Sequence, residues 1–442
     1  MTEKLALFGG PKAVTKDPGD IFTWPIITEE HEQAVLKVLR DRSMSGTDVT
    51  LKFEEEYRKW VGSKYALAFS SGTASLQAAL YGCKVGVGDE VIMPSITYWA
   101  SGLQAYSLGA TVVFAEVDPD TLCIDPDDIE KKISDKTKAI VAVHYMGYPA
   151  DMDRIMAIAK KYGIKVVEDV SHAHGALYKG RLVGTIGDVA GYSLMTGKSF
   201  AIGEGGILTT DDREIYERAV AFGHYERYRP DLIQTEYLKE GAGLPLGGYK
   251  YRMHQMSSAV GLVQIKYYDE QIKKIQEAMN YFWDLLEGVP GIKAHRPPKD
   301  SGSTMGGWYA AHGLYRPDEL EGLSVTTFCK AVRAEGCSTS PGCNLALHTH
   351  PLFHTVDVYG HGKPTRIANA SRDVRELDVL PVSEKIGSMT YSIPWFKHYD
   401  KEIIEQHANA FKKAALNYKE LLKIDEGNPE KLGGFNFFRS TR

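Results

Sequence analysis

The chain has 442 residues, of which 43% are hydrophobic and 25% charged, and its formal net charge is −5. This is globular composition with room for two domains, and the slight acidity argues against a surface built for nucleic acid or an anionic membrane. No apolar run approaches the roughly 18 residues of a membrane span, and the opening eight residues hold too short an apolar stretch for a signal peptide. Five scattered cysteines without a Cys-x-x-Cys pair fit reduced thiols in a cytoplasmic protein better than a disulfide framework.

In chain order, residues 1–30 read as an N-terminal arm packing on a small C-terminal domain. Residues 31–265 read as a large α/β domain. Between 64 and 210, short β-branched runs bounded by Gly, Pro or Asp predict strands at 65–69, 90–93, 111–114, 139–143, 164–167, 189–193 and 206–209. Helical spacing is predicted at 73–82 and at 151–162, the latter stopped by Gly163. Strand–helix alternation predicts a mostly parallel sheet covered on both faces. Apolar residues at helical spacing predict a long helix over 264–287, ending at Gly288 and Pro290 and leading into a smaller α+β domain, 266–442. Further helices are predicted at 325–335 and 401–422. The tail, with Phe435, Phe437 and Phe438, is expected to pack on the body or on a neighbour.

Four features fall on loops that follow strands, where open α/β sheets seat their ligands. Ser70-Ser71-Gly72-Thr73-Ala74 opens a helix, and the exposed N–H groups there suit a phosphate. Tyr98, just past the second strand, can stack on a flat ring. Asp169 emerges at the end of an apolar strand, where a carboxylate can keep a pyridine nitrogen protonated. Lys198 lies in a glycine-rich segment, and a buried lysine forms Schiff bases. Each alone is a common structural residue: a helix cap, a core aromatic, a turn acid, a surface cation. Together and in this order they are the parts needed to hold pyridoxal 5′-phosphate (PLP).

The chain resembles the DegT/DnrJ/StrS-type sugar aminotransferases, a branch of the aspartate-aminotransferase-like, fold type I PLP enzymes. The resemblance rests on Ser71-Gly72-Thr73-Ala74, Val87-Gly88-Asp89-Glu90, Val117-Asp118-Pro119, Glu168-Asp169, His174-Gly175-Ala176, Lys198, Gly203-Glu204-Gly205-Gly206 and Tyr251-Arg252-Met253. It implies a seven-stranded large domain plus a small C-terminal domain, and a homodimer with shared sites. Lys198 would carry the cofactor as a Schiff base, Asp169 pair with the pyridine nitrogen, and Tyr98 stack on the ring. Gly72, Thr73 and Ser193 would hold the phosphate. Arg252 and His348 would face a substrate. The implied reaction is a ping-pong transfer of an amino group from glutamate or glutamine to a keto sugar, free or nucleotide-linked, or to a keto cyclitol.

Two positions depart from the pattern. His172 stands where relatives commonly have Gln; an imidazole can pack beside the ring, hydrogen-bond its 3′-oxygen, and titrate. Lys250 stands where many have Asn, and an ammonium still suits a phosphate contributed to from the partner subunit. The histidines His348, His350, His354 and His361 crowd one stretch, but lack carboxylates or thiolates at a ligand-like spacing apart from Cys343 and Asp357, so no metal site is expected. The alternatives are a PLP-dependent dehydratase or lyase on the same scaffold, where relatives carry His in place of the lysine, and a non-catalytic regulatory relative.

Overall fold

The computed structural model describes residues 3–357, 360 and 379–435; Phe437, Phe438 and His361 lie outside them. The seven expected strands form one sheet: β1 (Tyr65–Phe69), β2 (Glu90–Pro94), β3 (Thr111–Ala115), β4 (Thr137–Val143), β5 (Lys165–Asp169), β6 (Val189–Ser193) and β7 (Gly206–Thr210). Their order is β1-β7-β6-β5-β4-β2-β3. Only β7 runs against its neighbours; the remaining pairs are parallel. Burial on both faces explains the near-continuous apolar runs, since β2, β3 and β7 have no exposed position.

Helices α1 (Glu29–Arg40), α2 (Asp48–Val61), α3 (Gly72–Gly82), α4 (Met152–Tyr162) and α5 (Arg213–Gly223) belong to this body. Gly163 ends α4 in a left-handed cap, its N–H bonded to the Ala159 carbonyl. The long helix α6 (Gln255–Leu285) begins well before the predicted residue 264. Its first turns are held by polar and small residues rather than by an apolar stripe. The Gln255 side chain accepts the Val49 N–H at 2.7 Å, Ser258 Oγ meets Thr50 Oγ1 at 2.8 Å, and Gly261 lies so close to the Phe53 ring that a Cβ would sit 2.5 Å from it. Two hydrophobic cores meet on α6: Tyr268 and Ile272 join the large-sheet core, whereas Ile275, Met279, Phe282 and Trp283 join the second.

That second body holds an antiparallel sheet, β8 (Ile292–Ala294), β9 (His312–Tyr315) and β10 (Thr390–Ser392), with α7 (Val325–Ala334) and α8 (Lys401–Leu416). The predicted helix over 401–422 breaks at Asn417, whose side-chain amide donates to the Lys413 and Glu3 carbonyls; a separate short helix follows. The N-terminal arm runs over this body, with Leu5 and Ile21 in its core. Its latch is Glu335, wholly buried, which accepts the N–H groups of Ala6 (2.7 Å) and Ala13 (3.0 Å) and the Lys413 ammonium (2.9 Å). Removing one member of such a buried pair costs about 3–5 kcal/mol, because the other charge is left uncompensated. So anchored, the arm carries Trp24 to the end of the large sheet. Among the described residues no helix is long and apolar enough to cross a membrane.

Candidate active site

Strand β5 ends in two adjacent carboxylates that alternation sends to opposite sides. Glu168 is wholly buried and accepts the N–H groups of Gly184 (2.7 Å), Ile186 (2.8 Å) and Gly187 (2.6 Å), and Nε2–H of His144 (3.0 Å). Burial opposes its charge, but these partners outweigh burial and hold its pKa below the usual carboxylate value. It is committed to the 184–187 turn. Asp169 instead faces a cavity of about 220 Å³. The Ser101 hydroxyl donates to its Oδ2 at 2.7 Å and the Ser171 N–H to its Oδ1 at 3.0 Å. Because a carboxylate can only accept, Thr97 must donate to Ser101 in the 2.7 Å contact between their hydroxyls.

Gly72, Thr73, Tyr98, Asp169, His172, Ser193 and Lys198 all line this cavity. Ser71 caps α3, its Oγ accepting the Ala74 N–H at 3.1 Å. The N–H groups of Gly72 and Thr73 have no acceptor among the described residues. The approach of the strands explains the glycines: a Cβ at Gly72 would come 2.6 Å from Ser193 Cβ, and one at Gly206 would come 2.3 Å from the Ser71 carbonyl oxygen. The result is a small, positively polarised cradle of the kind that binds anions.

Lys198 is 5% exposed, and burial lowers its pKa to about 7, opposed by the nearby Asp169 charge. Its Nζ lies 4.1 Å from the centre of the Tyr309 ring. His172 is buried; the Met146 N–H donates to its Nδ1 at 3.3 Å, which leaves the proton on Nε2. Its ring leans on Tyr309 at 4.8 Å. Burial, and then the Lys198 charge, push its pKa well below the usual imidazole value. Of the capacities that the sequence leaves open for His172, titration is thereby disfavoured, and the neutral ring carries its proton on Nε2.

Three predicted residues do not line the cavity. Lys250 Nζ and Arg252 Cζ each lie 5.9 Å from the Tyr225 ring centre. His348 is buried beside β2, its Nδ1 2.7 Å from Ser95 Oγ and its Nε2 3.3 Å from Glu384, while His354 donates to its carbonyl. Among the described residues no group of three metal-ligating side chains forms. Conversely, the cavity includes Ser101, Ser171, Met195 and Glu204, which the sequence did not single out as site residues. Tyr309, over the lysine, was also missed. Of these, Ser171, Met195 and Glu204 lie within the segments around Asp169 and Lys198, whereas Ser101 and Tyr309 lie outside every motif.

The sequence pattern of the DegT/DnrJ/EryC1/StrS aminotransferase family matches residues 25–406. The chain belongs to that family. This DegT/DnrJ/EryC1/StrS member is 32% identical over 420 residues to the L-glutamine:2-deoxy-scyllo-inosose aminotransferase of Streptomyces kanamyceticus, covering 90% of this chain and 94% of that one. It is 35% identical to the GDP-perosamine synthase of Escherichia coli O157:H7 over 254 residues, 56% of this chain and 65% of the other. The aminotransferase from Psychrobacter cryohalolentis has a similar solved structure, with a TM-score of 0.76 and 28% identity over 90% of this chain and 99% of that one. Like the family, this member is a fold type I, PLP-dependent aminotransferase. The cavity fits that cofactor: unpartnered N–H groups and a cradle with no room for a Cβ suit its phosphate, a buried carboxylate suits its ring nitrogen, and a buried amine near neutrality suits its aldehyde.

Proposed function

We propose that this aminotransferase moves an amino group from glutamine or glutamate to the keto carbon of a cyclitol or sugar, with Lys198 and Asp169 as its catalytic residues. The observation that carries the reading is one cavity in which a buried lysine amine with its pKa lowered to about 7, a buried carboxylate and an anion cradle converge. The near-full-length likeness to the glutamine-dependent inosose enzyme favours glutamine as donor and a cyclitol ketone as acceptor. The shorter likeness to GDP-perosamine synthase keeps nucleotide-linked keto sugars among the acceptors to be tried.

When bound, the cofactor would supply an electron sink for the pair left when the C–H bond at the donor's α-carbon breaks. The Gly72 and Thr73 N–H groups and the Ser193 hydroxyl would hold its phosphate. Asp169 would accept the pyridine N–H, Tyr98 would cover the ring, and His172 would offer its Nε2–H beside it. Lys198 Nζ, once free, takes the proton from the donor's α-carbon and later returns one to the acceptor carbon. The test is to convert the loaded protein with glutamine or glutamate, remove the donor, and offer keto cyclitols and keto sugars, free and nucleotide-linked. One of them should restore the original visible spectrum with one equivalent of aminated product. Loss of water without amino transfer would overturn the reading.

The pKa of Lys198 has a direct consequence. Below pH 7 its ammonium cannot attack an aldehyde; above it the amine is free. Uptake of PLP by the cofactor-free protein should therefore accelerate with pH through a midpoint near 7, followed as growth of the visible band. A midpoint near that of an exposed lysine would count against burial as the activating force. Gly72→Ala should weaken PLP binding about 10- to 100-fold, the 1.4–3 kcal/mol typical of overpacking, because the new methyl must push α3 away from Ser193. Equilibrium dialysis measures this.

A homodimer is part of the proposal. Leu232, Tyr237, Leu244 and Leu246 are all at least half exposed on the segment leading to Lys250, an apolar surface that needs cover. A second copy there would bring Lys250 towards the partner's phosphate cradle. Sedimentation at micromolar concentration checks this, and a monomer would end it.

A further inference from the structure

A second lysine near the site has no part in the chemistry above. Lys397, 5% exposed, has its Nζ 3.5 Å from the Trp395 ring centre and 5.7 Å from that of Trp24, and donates to the Trp395 carbonyl at 2.9 Å. Among the described residues no carboxylate pairs with it. Burial without a counter-ion pushes its pKa well below the usual lysine value, so it acts here through its hydrogen bond and its packing on the two rings.

Each indole that it touches is tied to the catalytic loop. Trp24 Nε1–H donates to the carbonyl of Lys198 at 2.8 Å. Trp395 Nε1–H donates to the carbonyl of Gly307 at 3.0 Å, two residues before the tyrosine whose ring covers Lys198 Nζ. The backbone around that tyrosine is strained: Trp308 and Ala310, neither a glycine, have φ of +55° and +54°. Such conformations persist only where surrounding contacts over-determine them. The Trp395 edge also meets the Tyr309 ring at 6.1 Å, and the two indoles lie 5.4 Å apart.

We infer that Lys397 is a positioning residue for Lys198: its side-chain nitrogen, bonded to the Trp395 carbonyl and packed against the Trp24 and Trp395 rings, holds both indoles, and through them fixes the Lys198 backbone from the N-terminal arm and the Tyr309 ring from the second body. The inference rests on the proposed role of Lys198. With the grip intact, the Lys198 amine stays under the Tyr309 face and away from water. Removing that nitrogen frees both indoles, and water reaches the Lys198 amine. Asp169 acts electrostatically on Lys198, and Lys198 in turn on His172 and His174; the substitutions below alter none of these three.

The experiment titrates the visible band of the PLP-loaded protein with pH and compares Lys397→Met with Lys397→Arg. Water stabilises the protonated Schiff base, so Lys397→Met should raise the midpoint by about one pH unit or more and lower kcat about tenfold, with KM within about twofold. Lys397→Arg keeps N–H donors over the indoles for the Trp395 carbonyl and should retain the parent midpoint. Trp395→Phe, which keeps a ring but loses the donor to Gly307, serves if Lys397→Met fails to fold; it should shift the midpoint in the same direction. An unmoved midpoint in Lys397→Met or in Trp395→Phe, or an equal displacement in Lys397→Arg, overturns the inference. Borohydride trapping and peptide mapping of the parent protein keep the two questions apart: label at a residue other than 198 refutes the proposed role of Lys198, whereas label at 198 with an unmoved midpoint refutes only the grip.

Discussion

Lys198→Ala is expected to lower kcat/KM for amino transfer by at least about 10⁴-fold, equivalent to roughly 5.5 kcal/mol of transition-state stabilisation. The substitution removes the nucleophile and the proton carrier together, and no neighbouring amine can take over. Of the other buried lysines, Lys413 is committed to Glu335 and Lys397 to the Trp395 ring. The anion cradle at Gly72, Thr73 and Ser193 does not depend on the lysine. The variant should therefore still bind PLP, now without the visible band of the Schiff base. Removing a buried cation-forming group from an apolar setting should also leave the melting temperature unchanged or raised. Activity above about 1% of the parent, or a visible band that survives, would mean that another amine does the work.

The parts of the fold legible in the sequence share one physical property. Strands covered on both faces read as apolar runs cut off by Gly, Pro or Asp, and all seven can be taken directly from the chain. The first turns of α6 could not be read this way, because Gln255, Ser258 and Gly261 pack through hydrogen bonds and close backbone approach. The site divides similarly. Residues at the ends of β5 and β6 and at the start of α3 sit in local patterns that announce a phosphate, a ring nitrogen or an imine. Ser101, 68 residues before Asp169, and Tyr309, from another body altogether, acquire their roles only when the chain folds. Arg252 and His348 came from resemblance alone, and neither lines the cavity in a single chain. Whether His172 could titrate was not legible either, because no local pattern reports that a side chain will be desolvated beside a lysine.

Asp169→Asn should reduce kcat about 10³-fold or more, some 4 kcal/mol, while PLP remains bound through the cradle. Asparagine has the same shape and can still accept the Ser101 hydroxyl. Its amide nitrogen would then face the Ser171 N–H, donor against donor, where Oδ1 now accepts at 3.0 Å. More important, it carries no charge with which to keep a pyridine nitrogen protonated, and an unprotonated ring is a poor electron sink. The neighbouring carboxylate supplies the control. Glu168→Gln would leave the cavity untouched but disturb a carboxylate that accepts three backbone N–H groups and the His144 Nε2–H. Its effect should fall on stability, by about 1–3 kcal/mol, with kcat reduced far less than in Asp169→Asn. Half-reaction rates and thermal melts on the two variants separate the roles: if Asp169→Asn stays within tenfold of the parent, or if Glu168→Gln proves the slower enzyme, the division of labour between adjacent acids drawn from the alternation of β5 is wrong.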